Sequence, residues 1–292
     1  LQVIASTALL GLGGWLVIQG QLTLGQLVAS ELVVTVVVGA FAKAGKSLEK
    51  FYDLMAGIDK VGHLLDIPVD PRVELGTLPN EPVEVRWGDL TFQGPATNSR
   101  VAAATVAAGS CAAIVGDDAD GRSLLAQTLA GLAVPTKGLA QIGGFDSEQA
   151  AHGGGGRFVG YAGGTQMFHG TLRENVDLGR RGIGQSLIRE VLQQVGLSET
   201  VLQLPDGLNT NLRTDGHPLS SVQVGQMILA RAMAGKPKVL VIDGLLDTLD
   251  DDVRSSLWQS LSATDAPWTL IVATNRRDVA ERCDSQIAVR KC

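Results

Sequence analysis

The first 30 residues of the chain carry no charged side chain, and this feature most restricts what the chain can fold into. A single carboxylate, Glu31, interrupts the apolar stretch that continues to Lys43. The segments LQVIASTALLGLGGWLVIQG and LVASELVVTVVVGAFAKAG are each long enough for a helix that crosses a hydrocarbon core of about 30 Å. We predict two transmembrane helices, at residues 2–19 and 23–42, joined by a short polar turn.

The charges after the second predicted span indicate its orientation. Lys43, Lys46 and Lys50 follow the span, and basic residues are enriched on the cytoplasmic side of membrane helices, so its C-terminal end is expected in the cytoplasm. Two buried helices of a large soluble core are the alternative to this hairpin. Glu31 has two open interpretations: a functional carboxylate that faces a bundle interior, or a protonated or hydrogen-bonded side chain at a helix contact.

Proline spacing divides the chain into two domains. Apolar residues recur at helical spacing across residues 44–65, which predicts that the second span continues as a cytoplasmic helix. The segment DIPVDPRVELGTLPNEPVEV then contains four prolines, which cannot continue a helix. We predict the C-terminal part of a transmembrane domain at residues 1–66, a linker at 67–82 and a second domain at 83–292.

The second domain alternates short apolar runs with helical patterns. The runs CAAIVG, RFVGYAG, KVLVIDG and WTLIVAT predict buried strands, with helices from Gly121, across 184–196 and near 251–262. Continuous apolar strands separated by helices are typical of an α/β fold with a mostly parallel sheet covered on both faces. The segment AAHGGGGRF is predicted to be a loose loop.

Charge and cysteine content argue against several classes of function. The net charge of −6 argues against a nucleic-acid binder, which presents a basic face. Cys111, Cys283 and Cys292 lack paired spacing, so we expect neither a disulfide framework nor a metal site. Their distribution fits a reducing compartment. The apolar start at Leu1 has no basic leading segment, so it does not predict a signal peptide, and we expect a piece of a longer chain.

The stretch IVGDDADGRS has the layout of a loop that binds phosphate. Gly116, Gly121, Arg122 and Ser123 give G-x-x-x-x-G-R-S between a predicted strand and a predicted helix, close to the G-x-x-x-x-G-K-[ST] pattern. Backbone amides and the helix N-terminus form an anion site there. The aspartates of the stretch weaken it, because a like charge about 4 Å from a phosphate costs about 4 kcal/mol at an effective dielectric of about 20. An acidic strand-to-helix turn is the alternative.

Further segments follow the loop in a particular order. KVLVID is an apolar strand that ends in a carboxylate, Asp243, which is suited to hold Mg²⁺ through water. Upstream of it, LSSVQVGQMILARAMAGKP predicts a polar turn that opens a helix, and WTLIVATNRRD follows downstream. The whole series in this order is much less expected by chance than any one match.

With these segments in this order, the chain resembles the ATP-binding cassette (ABC) exporter family over nearly its whole length. GWLVIQGQLTLGQLVASELVV and LEKFYDLMAGIDKVGHLLDIP resemble the family's last two transmembrane helices and their cytoplasmic extension. FHGTLRENV and LPDGLNTNLRTDGHPLSSVQVGQMILARAMAGKPKVLVIDGLLDTLD resemble its nucleotide-binding domain. The resemblance implies an α-helical transmembrane hairpin followed by an α/β P-loop NTPase domain of ABC type. It also implies an integral protein of the bacterial inner membrane, in contact with lipid, with a cytoplasmic nucleotide-binding domain.

The resemblance further implies a set of residues around Mg-ATP. The loop and the start of its helix would contact the phosphates, and Ser123 and Asp243 would hold Mg²⁺. Phe92, or as a second choice Trp87, would stack on adenine. The implied nucleotide-binding residues are Phe92, Gly116, Asp118, Ala119, Asp120, Gly121, Arg122, Ser123, Leu124, Ser220, Gln223 and Asp243.

Several positions depart from the family's pattern, and no catalytic residue is predicted. Arg122 stands where the family has lysine, and LSSVQ replaces the signature LSGGQ. At the position of the family's catalytic glutamate this chain has Gly244, so no base stands there to activate water. At the position of the family's switch histidine this chain has Asn275, which cannot become cationic. The glutamine of the family's next loop falls at Gly163 or Gly164.

These departures predict a subunit or half of an ABC exporter that binds ATP with Mg²⁺ weakly or not at all. A homodimer of this chain would lack a general base at both composite sites. The expected partner is therefore a second half-transporter or another intact nucleotide-binding domain, with hydrolysis at the partner's site. The alternative is a non-transporting membrane scaffold whose pseudo-ATPase domain is an interaction surface. A third hypothesis is an active ABC ATPase with unusual residues.

Overall fold

The computed structural model divides the chain into two compact units, Leu1–Val69 and Asp70–Cys292. The boundary falls within the linker predicted at 67–82, most of which lies outside the described residues. The structure describes residues 2–67, 79–93, 98–154, 157–263 and 265–291.

The first unit consists of two helices, α1 (Gln2–Ile18) and α2 (Leu24–Leu65). A capping box begins α2. The Thr23 hydroxyl accepts a hydrogen bond from the Gln26 amide, and the Gln26 side chain accepts one from the Thr23 amide at 2.9 Å. Both bonds satisfy amides that the start of a helix leaves unpaired. The predicted polar turn thus lies between the two helices.

Helix α2 is the one helix in the described residues that is long and apolar enough to cross a membrane. Its 42 residues correspond to about 63 Å at about 1.5 Å per residue. The helix is therefore much longer than a hydrocarbon core of about 30 Å, in agreement with the predicted continuation through residues 44–65. Helix α1 is also apolar, but its 17 residues are at the short end of the lengths that span a bilayer.

A small residue sets the contact between the two helices of the first unit. A Cβ at Gly13 would lie 2.3 Å from Leu27 Cδ1, so glycine allows α1 to approach α2 closely. Other apolar side chains of the pair are exposed, with Ile18 85% and Phe41 73% accessible, as on helices that contact lipid or further helices. One carboxylate oxygen of Glu31 is shielded from solvent without a hydrogen-bond partner among the described residues.

The second unit alternates strands and helices, as its apolar runs predict. Among the described residues its strands are β1 (Val85–Trp87), β2 (Leu90–Gln93), β3 (Asn98–Val101), β4 (Ala104–Val106), β5 (Cys111–Val115), β6 (Ala140–Ile142), β7 (Phe145–Asp146), β8 (Val159–Gly163), β9 (Gly170–Thr171), β10 (Asn211–Leu212), β11 (Val239–Asp243), β12 (Thr269–Ala273) and β13 (Ser285–Lys291). Its helices there are α3 (Ala119–Leu129), α4 (Ser147–Gly154), α5 (Leu172–Asp177), α6 (Gln185–Gln194), α7 (Ser198–Gln203), α8 (Ser221–Met233), α9 (Asp251–Leu261) and α10 (Arg277–Ala280).

The main sheet has the strand order β2-β3-β13-β5-β12-β11-β8. From β13 to β8 neighbouring strands are parallel, whereas β2 and β3 form an antiparallel edge, so the sheet is mostly parallel as predicted. Asp243, the last residue of β11, pairs in register with Ala273 of β12 and Gly163 of β8. Because parallel strands end at the same edge, the loops after β5, β11 and β12 meet there. A second, antiparallel sheet has the order β4-β1-β6-β7.

Helices bury both faces of the main sheet, which explains its continuous apolar strands. Alternate residues of β11 belong to different cores: Val241 packs in one cluster with Leu125 of α3, and Ile242 packs in the other with Leu229 of α8. All four side chains are fully buried. A strand with solvent on one face would need polar residues at every second position, and β11 has none before its last residue.

The structure corrects the expectation that the cysteines are unpaired. Cys111 and Cys283 form a disulfide, with their Cα atoms 4.8 Å apart. Cys111 begins β5, and Cys283 lies two residues before β13, which pairs with β5 in parallel. The pairing depends on this strand register across a sequence separation of 172 residues, so cysteine spacing could not indicate it.

A second correction concerns the predicted loose loop AAHGGGGRF. Its first residues, 150–154, belong to α4, and residues 155–156 lie outside the described part of the chain. The helix is retained despite its glycines because Ala150 is fully buried in the core below it. Tertiary packing therefore overrides the low helix propensity of glycine at this position.

Candidate functional site

The loop from Gly116 to Ser123, called the phosphate loop below, connects β5 to α3, and its two glycines are sterically required. Gly116 has a φ of 136°, and a Cβ there would lie 2.4 Å from the carbonyl oxygen of Val289. A Cβ at Gly121 would lie 2.7 Å from the Ser99 hydroxyl oxygen. The glycine spacing of the motif thus allows the loop to pack closely against β3 and β13.

A carboxylate of the phosphate loop occupies the start of α3. Asp118 is the N-cap, and its side chain accepts a hydrogen bond from the Gly121 amide at 3.2 Å. The Ser99 hydroxyl donates to the other carboxylate oxygen. This bond from Ser99 is the largest influence on Asp118 and holds its pKa below the usual 3.8, with smaller contributions from the Gly121 amide and nearby cations. An ionised carboxylate therefore takes an amide that such loops offer to phosphate.

The only cation of the phosphate loop is bound within the loop. The Arg122 guanidinium donates to the carbonyl oxygen of Gly116. Arginine has a planar fork of donors, so this contact leaves it further N–H groups, but it directs the side chain differently from a compact lysine ammonium. With three aspartates and one arginine, the loop carries an excess of negative charge.

A hydroxyl–carboxylate pair links the phosphate loop to β11. The Ser123 hydroxyl donates to Asp243 Oδ1 at 2.9 Å. The Tyr161 hydroxyl, from β8, donates to Asp243 Oδ2 at 2.8 Å. Both oxygens of the carboxylate are thus engaged at the edge where β8 and β11 end. A serine hydroxyl beside a carboxylate is a donor set that fits Mg²⁺ bound to phosphate.

The position of Tyr161 depends on a glycine two residues later. A Cβ at Gly163 would lie 2.5 Å from the Tyr161 hydroxyl oxygen, so a larger side chain there would displace the ring. Burial, followed by the neighbouring Asp243 charge, raises the pKa of Tyr161 above its usual 10.0, so the hydroxyl stays protonated and keeps donating. Gly163, one of two candidate positions for the missing glutamine, therefore permits the tyrosine–aspartate contact.

The residue after Asp243 offers no base for water activation. Gly244 has a φ of 66°, and a Cβ there would meet no atom within 4 Å, so the position opens into free space. Its amide donates to the carbonyl oxygen of Ala273 at 3.0 Å. The backbone is thus held beside β12, while the carboxylate that would orient water is missing.

A different carboxylate orders the loop that carries Asn275. Asp247 accepts a hydrogen bond from the backbone N–H of Asn275 at 2.9 Å and another from the Thr274 hydroxyl. The next residue, Arg276, is paired with Asp278 at 3.0 Å, and the pKa of Arg276 is raised chiefly by this hydrogen bond. The backbone at the position of the family's histidine is fixed even though an asparagine stands there.

The loops after β5 and β12 enclose a common cavity of about 590 Å³. Its wall includes Gly116, Asp117 and Arg122 from the phosphate loop together with Asn275 and Arg276. The structure therefore brings the predicted residues Gly116 and Arg122 together with the Asn275 position. The volume of this cavity is within the usual range for small-molecule sites.

The predicted signature residues form a well-capped helix start. Ser220 caps α8, its hydroxyl accepts from the Gln223 amide at 3.3 Å, and the Gln223 side chain accepts from the Ser220 amide at 2.9 Å. The side-chain NH₂ group of Gln223 also donates to the Thr200 hydroxyl at 3.0 Å. Within the described part of the chain, no hydrogen bond joins Ser220 or Gln223 to the phosphate loop.

The two rings predicted to stack on adenine are largely buried in this structure. Phe92 is only 4% exposed and lies in the core of the second unit. Trp87, the second choice, is also 4% exposed, and its indole N–H donates to the Ala102 carbonyl oxygen at 3.0 Å. Both rings pack in the same core cluster, and adenine stacking by either ring stays a prediction.

The remaining predicted residues lie at the start of α3. Ala119 is its first residue, Asp120 is in its first turn, and Leu124 packs against the core. Sequence reasoning missed Ser99, Tyr161 and Asp247, which hold Asp118, Asp243 and the loop of Asn275 respectively. Tyr161 lies in the predicted strand RFVGYAG, where it is the one side chain with a hydroxyl group, and this was a usable signal. The sequence carried no such signal for Ser99 or Asp247.

A family model described as "ABC transporter" matches residues 100–246, about half of the chain. The chain is similar to the leukotoxin translocation ATP-binding protein LktB of Mannheimia glucosida, with 24% identity over 97% of this chain and 40% of that protein. It is 24% identical to the toxin RTX-I translocation ATP-binding protein of Actinobacillus pleuropneumoniae, over 100% of this chain and 42% of that protein. The chain thus spans about two fifths of the length of these relatives.

Among solved structures, the fold is similar to that of a bacterial Atm1-family ABC exporter with ATP bound. The TM-score is 0.73 at 22% identity, over 99% of this chain and 52% of the other. At this identity the likeness concerns the fold alone. The match covers residues of both units of the present chain.

Proposed function

The chain belongs to the ABC transporter family, and on this premise we propose that it is one subunit, or one half, of an ABC-type exporter. Residues 1–66 would be the C-terminal part of a transmembrane domain, 67–82 a linker and 83–292 the nucleotide-binding domain. The long apolar helix α2 and the division of the chain into two units support this organisation. The protein would be integral to the bacterial inner membrane, with its second unit in the cytoplasm.

The hydrogen bond between Ser123 and Asp243 is the observation that carries the proposal. Both side chains are of the kind that hold Mg²⁺ beside nucleotide phosphates, and they meet at the carboxyl edge of a parallel sheet. Gly244 stands directly beside it without a carboxylate. We therefore infer nucleotide binding without hydrolysis by this chain.

The residues present fit Mg-ATP in part. The backbone of the phosphate loop and the N-terminus of α3 would hold the phosphates, and Ser123 and Asp243 would hold Mg²⁺. When bound, Mg²⁺ supplies positive charge that offsets the phosphates. Asp118 would first have to release the Gly121 amide, and Tyr161 would have to release one oxygen of Asp243. These two rearrangements make binding weaker than at an ordinary phosphate loop.

Hydrolysis is assigned to a partner. Gly244 provides no general base, and Asn275 cannot take up a proton at neutral pH. Members of this family work as pairs, so we propose a hetero-pair in which an intact second nucleotide-binding domain supplies the catalytic carboxylate. In such a pair, Ser220 and Gln223 at the start of α8 would face the nucleotide held by the partner.

The test is to measure Mg-ATP binding and ATP hydrolysis by the full chain in detergent. We expect binding between micromolar and low-millimolar concentrations and no hydrolysis. The control is Asp243→Asn, which keeps the volume of the side chain but removes the charge that favours Mg²⁺, and it should weaken Mg-dependent binding. Hydrolysis by the unaltered chain that Asp243→Asn abolishes would contradict the proposal.

A scaffold without nucleotide is the second candidate, and one observation favours it. The phosphate loop is satisfied by its own side chains, since Asp118 binds the Gly121 amide and Arg122 binds the Gly116 carbonyl. No binding at several millimolar Mg-ATP, both for the chain alone and with a catalytically competent partner, would favour the scaffold. Binding restored by the partner would favour the exporter subunit.

A further inference from the structure

A second cavity of the second unit is lined by basic residues and lies apart from the phosphate loop. It measures about 840 Å³, and its basic wall consists of Arg157, Arg180, Arg181, Lys236 and Lys238; we call it the basic cavity. No aspartate or glutamate is among its lining residues in the described part of the chain. This is notable in a protein whose net charge is −6, because acidic side chains outnumber basic ones overall.

The loops of the basic cavity come from the end of the sheet opposite the phosphate loop. Arg157 precedes the first residue of β8, and Lys238 precedes the first residue of β11. The phosphate loop instead follows the last residue of β5, and Asp243 is the last residue of β11. An anion in the basic cavity would therefore occupy a site separate from the nucleotide site.

Hydrogen bonds hold Arg157 and Lys238 in place without neutralising their charges. The Arg157 guanidinium donates to the carbonyl oxygen of Arg181 at 3.0 Å, and the Lys238 ammonium donates to that of Asn80 at 2.6 Å. These acceptors are uncharged, and no ion pair of Arg157, Arg181 or Lys238 is found among the described residues. Each of the three cations keeps unused N–H donors.

The two other cations add positive charge to the wall. Arg180 is partly buried, and its guanidinium is used on the carbonyl oxygens of Val176, Asp177 and Arg231. Lys236 has a loose, exposed ion pair with Glu190 at 3.9 Å, which contributes little. The basic cavity thus has a fixed excess of positive charge and free donors on three side chains.

We propose that the basic cavity binds a ligand with several phosphate groups. Arginine forks match phosphate oxygens with paired hydrogen bonds, and Arg157 and Arg181 supply two such forks. Gly153, Gly182 and Gly235 also line the cavity and allow a ligand to approach the backbone. A phosphate group presents three acceptor oxygens to these donors, against two for a carboxylate, which favours a phosphate ligand over an acidic peptide.

The volume fits a small ligand rather than a flat surface contact, because small-molecule sites measure about 300–1,000 Å³. Phosphate groups of this kind occur both on free soluble polyphosphates and on anionic lipid headgroups. The two sources share the chemistry that the cavity recognises. They are distinguished by offering the full chain either inorganic tripolyphosphate or vesicles that contain phosphatidic acid.

The experiment titrates the full chain in detergent with inorganic tripolyphosphate and follows heat or protein fluorescence. The variant Arg157→Glu/Arg181→Glu reverses two exposed charges of the cavity. The matched control Lys137→Glu/Arg213→Glu reverses two exposed charges elsewhere, and Arg122→Ala removes the cation of the phosphate loop. We expect at least tenfold weaker binding in the cavity variant, little change in the control, and a retained binding event in Arg122→Ala.

Several outcomes decide the proposal. Binding to phosphatidic acid vesicles but not to tripolyphosphate, lost in the cavity variant, supports the site and identifies a lipid source. Binding that Arg122→Ala abolishes and the cavity variant leaves unchanged overturns it, because the phosphate would then be bound at the phosphate loop. Tighter cavity-dependent binding of a polyglutamate peptide than of tripolyphosphate also overturns it and indicates a protein partner. A circular-dichroism spectrum equal to that of the unaltered chain verifies that each variant is folded.

Discussion

Helices α3 and α8 both begin with a side-chain cap but differ in the charge of that cap. Asp118 caps α3 with a carboxylate that accepts the Gly121 amide, and Ser220 caps α8 with a hydroxyl that accepts the Gln223 amide. Both caps satisfy amides that the helix start leaves unpaired. Only the hydroxyl leaves the helix N-terminus without a negative charge. Both helices are capped, and they differ in how readily an anion can approach.

The difference separates the requirements of folding from those of phosphate binding. A helix N-terminus has a partial positive charge, which favours either a carboxylate of the chain or an anion from solution. At α3 the chain supplies the carboxylate itself and fixes it with Ser99. The fold is satisfied by this arrangement, while an incoming phosphate meets a like charge.

The largest expected effect comes from giving α3 the cap of α8. Asp118→Ser keeps a side chain that can cap the helix and removes the negative charge. A like charge about 4 Å from a phosphate costs about 4 kcal/mol at an effective dielectric of about 20, and solvent at this partly exposed loop reduces that figure. We expect Mg-ATP to bind at least tenfold more tightly to the full chain, as measured by calorimetry.

Two comparisons test whether charge is the cause. Asp118→Asn also removes the charge and should give a similar gain, whereas Glu148→Gln neutralises an exposed carboxylate at the start of α4 and should change nothing. The gain should shrink at high salt, because surface charges are screened. An unchanged affinity in both Asp118 variants would show that the carboxylate is not what limits binding.

The second effect concerns the stability of α8. Ser220→Ala removes the cap, and we expect a loss of about 1 kcal/mol in the free energy of unfolding. Ser220→Asp keeps a cap and should unfold within a few tenths of a kcal/mol of the unaltered chain, since a carboxylate is favourable at a helix start. Urea unfolding of the full chain in detergent measures both. Equal destabilisation by the two variants would contradict the equivalence of the caps.

An effect of similar size is expected at Asp243, where Tyr161 competes for the carboxylate. Tyr161→Phe removes the hydroxyl and frees one oxygen of Asp243. A net hydrogen bond is worth about 1 kcal/mol, so the Mg²⁺-dependent part of ATP affinity should rise about fivefold. Binding without Mg²⁺ serves as the control and should be unchanged. A fall in Mg²⁺-dependent affinity would mean that Tyr161 assists the site.

The sequence predicted most of the fold and part of the site, and the difference has a physical cause. Apolar strands, glycine spacing and prolines are local signals, and they correctly indicated the mostly parallel sheet, a strand-to-helix loop after β5 and the turn before α2. Burial is set by contacts between distant segments, so the sequence did not indicate that Phe92 lies in the core. The disulfide of Cys111 with Cys283 and the tyrosine on Asp243 depend on strand register in the same way.

The smallest expected effect is the pH dependence of the cap on α3. Because the folded pKa of Asp118 lies below 3.8, chiefly through the bond from Ser99, its contribution to stability is present above the unfolded pKa and is lost as pH falls through the folded pKa. Ser99→Ala should therefore raise the titration midpoint of Asp118 in ¹³C-aspartate spectra. The stability difference between this variant and the unaltered chain should be full at neutral pH and should shrink below pH 3.8. A difference that is constant down to the acid limit would mean that Ser99 acts through packing alone, and the ionised cap would then not explain why α3 and α8 differ.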